Sequence, residues 1–137
     1  MQEQRSFILK LEKKYGWLFW IWVVLVAVLS LLPGRSIDGV PVEIPHIDKA
    51  VHFLFYGIMT FLLGKYLQSR RHKKQVESQH KKQQIVGVLA CMVYGTILEF
   101  VQEFAIPGRN YESWDILFNI AGAIAGIALF YLADKKN

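Results

Sequence analysis

His52, Glu99, Asp115 and Arg109 are the residues of this chain best equipped to do chemistry. An imidazole beside carboxylates can take up and return a proton, and a guanidinium close to them can stabilise an anion. Six more polar residues, Asp48, Lys49, Tyr56, Gln102, Glu103 and Asn119, are candidates for binding a ligand. Asp48, His52 and Tyr56 recur every four residues, as one face of a helix requires; Glu99, Gln102 and Glu103 fall together, and so do Asp115 and Asn119. Lys49 and Arg109 suit a phosphate or a carboxylate, whereas Asp48, Glu99, Glu103 and Asp115 suit a cation or an amine. A zwitterionic or phosphorylated headgroup matches both sets. One histidine with carboxylates could also hold a divalent ion, although a single histidine is a weak signal for zinc; the metal question is open.

Each of these residues also has a plainer reading. Acids in a first helical turn, such as Asp48 and Asp115, complement the helix dipole, and Ser113 is a candidate N-cap. Lys49, Glu103 and Arg109 fit an interface, and Tyr56 fits simple packing. His52, Glu99, Gln102 and Asn119 sit a turn or more inside apolar sequence, where polar groups can serve as helix–helix glue. One such residue reads as glue; so many on one side read as a site.

The elements that must position them are apolar runs over about 15–33, 47–67, 85–106 and 114–132, each of ~20 residues and therefore matched to a bilayer. With 137 residues, 53% hydrophobic and a mean hydropathy of +0.26, the chain is too short to hide four such runs in one soluble core. The expected fold is an all-α, four-helix integral membrane domain over 1–137. A short amphipathic helix over 2–14 is expected to precede it, with Phe7, Ile8 and Leu11 against Lys10, Lys13 and Lys14. No small-residue cleavage pattern follows Leu32, so the first run is expected to remain as an anchor.

Charge gives the orientation. Thirteen of the 16 Lys and Arg lie at the amino terminus, in a basic hairpin over 68–84 and its flank, or after residue 132. The positive-inside rule then places both termini and the hairpin in the cytoplasm. The net charge of +5 is accordingly read as contact with anionic lipid at that face rather than with nucleic acid. Under this topology the second and fourth runs begin, and the third ends, at the outer face, so that the polar candidates meet at one depth. Gly122-x-x-x-Gly126 allows close helix approach; packing inside the bundle is its first expected use and homodimerisation its second. Cys91, alone mid-run, excludes an intramolecular disulfide and reads as a small packing residue.

Asp48-Lys49-x-x-His52-x-x-x-Tyr56, Glu99-x-x-Gln102, Arg109 with Asp115-x-x-x-Asn119 and Gly122, and the Leu31-Leu32-Pro33-Gly34 end of the first run together resemble the VanZ-like family over roughly 29–126. That family consists of small bacterial membrane proteins whose founding member confers resistance to the lipoglycopeptide teicoplanin. The resemblance implies a multi-pass protein of the bacterial cytoplasmic membrane with an envelope role, carrying its site on the residues above. It supplies no reaction mechanism, and the basic hairpin falls outside the pattern. Two functions follow as expectations. One is an enzyme acting on the headgroup of a membrane lipid or lipid-linked envelope precursor, with His52 as base. The other is a non-catalytic module that binds such a lipid or shields it from the antibiotic. A proton-coupled transporter is less consistent with four helices and no visible repeat.

Overall fold

The computed structural model describes residues 2–32, 47–70, 76–106 and 112–135, and within them four helices: α1 (Gln2–Leu31), α2 (Ile47–Ser69), α3 (Glu77–Ala105) and α4 (Ser113–Asp134). All four are long and apolar enough to cross a membrane. Their side chains are arranged accordingly: Trp17, Val24, Leu54, Val93, Phe104, Leu117 and Leu129 all point outward, a surface that water would not tolerate and lipid does.

Contacts between helix ends define an up-and-down bundle. Arg70 at the end of α2 pairs with Glu12 near the start of α1 at 3.1 Å. Gln68 donates to Asp134 at the end of α4, and Tyr131 donates to Gln84 in the first turns of α3. At the opposite end Lys49 of α2 meets Glu112, and Gln102 of α3 meets the last turn of α1. α2 is the hub: it touches the three other helices, most extensively α4, whereas α1 and α4 do not meet among the described residues.

Small residues make the α2–α4 seam. A Cβ on Gly122 would collide with the carbonyl of Phe53, and one on Gly126 with the carbonyl of Gly57. Thr60 Oγ1 then reaches across to donate to Ala123 O at 2.8 Å. The Gly122-x-x-x-Gly126 stripe is thus consumed inside the chain, with both glycines buried, which is the first of its two expected uses. Elsewhere a glycine of one helix receives a ring from the next, Gly64 from Phe130 and Gly95 from Tyr56. Cys91 joins Tyr56, Met59, Leu63, Val88 and Leu98 in the core.

Two boundaries differ from the sequence expectation. The amphipathic segment is not a separate helix, because 2–31 is one continuous α1 of 30 residues. At 1.5 Å per residue it is about 45 Å long, more than a ~30 Å hydrocarbon core, so part of it overhangs. The polar stretch 68–84 is likewise mostly helical: α2 runs to Ser69 and α3 starts at Glu77, eight residues earlier than its apolar run. The reason is tertiary. His80 and Gln84 are buried against neighbours, and that packing extends the helix into sequence with no apolar period.

Candidate functional site

The site lies where α2 and α4 begin and α1 and α3 end. Along α2 the inward row is Lys49, His52, Tyr56, Thr60 and Leu63, the i, i+3, i+7 stripe of a 3.6-residue helix. Asp48, expected to stack on His52, instead has a side chain 45% exposed, against 15% for Lys49. At this end of α3 the buried polar residues are Glu99 and Gln102, while Glu103 is exposed. On α4 Asp115 and Asn119 are both buried.

At the centre, His52 Nδ1 is 3.0 Å from Asn119 Oδ1. Because a carboxamide oxygen only accepts, Nδ1 carries a hydrogen, and in the neutral ring Nε2 is then the nitrogen with a free lone pair. Nε2 faces Asp115 Oδ2 at 3.7 Å, too far for a hydrogen bond. Glu99, only 2% exposed, completes the group: one ligand atom each from His52, Glu99 and Asp115 lie within 4.8 Å of one another.

Above this cluster stands a cation shared by three acids. Lys49 Nζ lies 3.1 Å from Asp48, 3.0 Å from Glu112 and 3.9 Å from Asp115. Asp48, Glu112 and Asp115 also have the spacing of a metal site, but an ammonium already stands among them. The outer group is therefore an ion-pair lid, and the inner one is the chemically open constellation.

Gln102 makes a contact between helices. Its Nε2 donates to Ser30 O at 2.5 Å, satisfying one of the carbonyls that every helix C-terminus leaves without an internal partner. It ties α1 to the site end. Tyr56 packs its ring on Gly95 at the floor. Ser113 is not the N-cap: Glu112 occupies that position, with no side-chain cap bond, and its carbonyl accepts from Asp115 N at 3.0 Å. Arg109, the expected anion clamp, lies outside the described residues. Glu112 was missed in the sequence; the signal was an acid three residues before Asp115 at a helix start, the place the dipole favours.

Four apolar helices enclosing buried carboxylates and a histidine at one end define a multi-pass membrane protein with a polar site in its bundle. The family model described as VanZ/LLP1 matches residues 6–134, nearly the whole length, and the chain belongs to this VanZ-like family. Among curated proteins and among solved structures nothing matches it.

Proposed function

We propose that this VanZ-like protein works in the bacterial cell envelope, acting on the headgroup of a membrane lipid or lipid-linked precursor through a polar pocket facing the outer leaflet. One observation carries the reading: His52, Glu99, Asp115 and Asn119, from three helices, are all buried at one end of a bundle whose outside is apolar. Ionisable groups at such positions are costly and mark functional sites by default. The charge balance of the 16 Lys and Arg supports the orientation, with the termini and the α2–α3 connection in the cytoplasm and the site outside. Lys49 at the mouth suits the phosphate of a headgroup, and the acids around it suit an amine.

His52, held by Asn119, is the proton acceptor in a catalytic version of this reading. A specific observation favours the non-catalytic version: three of the groups that could supply a nucleophile are placed elsewhere. Thr60 is committed to carbonyl oxygens, Cys91 is in the core and Ser113 is exposed. A module that binds the headgroup, or keeps a lipoglycopeptide from it, needs only the charges.

Purification in mild detergent followed by lipid mass spectrometry tests the reading directly. Wild-type protein should retain a phosphorylated or zwitterionic lipid that His52→Ala and Asp115→Asn lose, with a parallel change in teicoplanin susceptibility in the host. Equal lipid retention by all three proteins would remove the pocket from the account. Membrane-impermeant thiol labelling of Ser78→Cys checks the orientation: labelling in intact cells would invert the bundle and place the site in the cytoplasm.

A further inference from the structure

We propose that His52, Glu99 and Asp115 form a three-ligand site for a divalent first-row metal ion of the Zn2+ or Mn2+ kind, with Asn119 as the positioning residue that fixes the histidine tautomer. The assignment deepens the headgroup reading and rests on it only for the identity of a fourth ligand.

Three observations point the same way. The first is the tautomer. Asn119 Oδ1 accepts from His52 Nδ1 at 3.0 Å, so that in the neutral ring it is Nε2, on the side of Asp115, that is free to bind an ion. Metal-binding histidines are commonly held in this way, the second ring nitrogen donating to an oxygen acceptor. The second is the spacing. Nε2 and Asp115 Oδ2 face each other at 3.7 Å, beyond hydrogen-bond reach. Ligands about 2.0–2.2 Å from one tetrahedral ion stand about 3.4 Å apart, and Glu99 brings the third donor within the same 4.8 Å group. The third is Asp115 itself, 3% exposed. Its Oδ1 has no hydrogen-bond partner among the described residues, and its nearest cation, Lys49 Nζ, is 3.9 Å away.

One imidazole and two carboxylates make a borderline-hard donor set. The nitrogen favours Zn2+ over Mg2+, and the affinity order for such a set is Zn2+ above Mn2+. Three protein ligands leave a fourth position open, as in sites where the ion meets water or substrate. An anionic oxygen bound there could be met by the ammonium of Lys49. His52 is then a ligand and not a proton acceptor, a role distinct from the one the catalytic reading gives it.

The full chain, purified in detergent and stripped with a chelator, is titrated calorimetrically with ZnCl2, MnCl2 and MgCl2 in the absence of added lipid. The expected result is one Zn2+ per chain, weaker Mn2+ and much weaker Mg2+. His52→Ala and Asp115→Asn lower Zn2+ affinity at least 100-fold, and Asn119→Ala lowers it 10- to 100-fold, as loss of a supporting hydrogen bond does. Asn119→Asp keeps an acceptor oxygen and restores affinity to within about tenfold of wild type, which a merely structural asparagine would not require. Absence of saturable Zn2+ binding to the wild-type chain overturns the proposal, and so does equal binding by His52→Ala. If Asp115→Asn does not fold, the wild-type titration and the Asn119 pair decide. The two readings fail separately: Zn2+ bound by a protein that retains no lipid headgroup supports the metal and removes the headgroup, whereas a retained headgroup without Zn2+ binding overturns the metal alone.

Discussion

The two ends of this bundle both bury polar side chains, and they do so in opposite ways. At the end where α2 and α4 finish, Gln84 accepts from Tyr131, Gln68 donates to Asp134, and the Arg70–Glu12 pair lies towards the surface. Each contact joins one helix to another, and the deeper ones involve an amide. At the other end the buried ionisable groups are two carboxylates and a histidine, with a shared ammonium above them. A neutral pair such as Tyr131–Gln84 is worth ~1 kcal/mol as helix–helix glue. Buried carboxylates cost more than they return to the fold unless a partner or ligand compensates them. Polar content alone therefore does not identify a site in a membrane bundle; carboxylates and a histidine gathered from three helices do.

The largest effect should come from the seam on which both ends depend. Gly126→Leu drives a side chain into the α2 backbone at Gly57 and Thr60, so we expect a loss of over about 3 kcal/mol, more than ordinary overpacking costs because backbone cannot repack. Size-exclusion profiles and thermal unfolding in detergent should show the bundle lost. A well-folded Gly126→Leu protein would mean that α2 and α4 are not packed as described.

Next come changes that should separate the ends. Glu99→Gln keeps volume and hydrogen bonding while deleting one charge, and we expect at least a tenfold loss of lipid retention or envelope phenotype with the melting temperature unchanged or raised, since a buried charge is removed. Full activity in Glu99→Gln at normal expression would show that neither ion binding nor proton transfer depends on it.

Tyr131→Phe at the far end should do the reverse. It removes the hydrogen bond to Gln84 and should lower stability by about 1 kcal/mol, with the phenotype intact. A functional defect there at full stability would break the distinction between the ends. The smallest effect belongs to Lys81→Ala, whose pair with Glu77 at 3.6 Å is exposed at both partners. Surface pairs of this kind contribute little, and neither insertion nor melting should change measurably.

Much of this was legible in the residues alone. Runs of about 20 apolar residues must become helices in lipid because no other single-chain element satisfies its own backbone there. Four runs joined by polar connections leave little choice but an up-and-down bundle, which brings the polar starts of the second and fourth runs to the polar end of the third. What no spacing rule could decide was which polar residues face inward. At 3.6 residues per turn, positions three and four apart lie almost equally close to a given face, so Asp48 and Lys49 competed for the row through His52, as Gln102 and Glu103 did for the one through Glu99. Packing made the choice, placing Lys49 and Gln102 inside and Asp48 and Glu103 toward the surface. The same holds for the helical extension of α3 into polar sequence and for Gln102 reaching Ser30. Residue type determined where polar groups could gather along the chain; contact with neighbouring helices decided which of them meet, because only the partner surface distinguishes two adjacent positions on one turn.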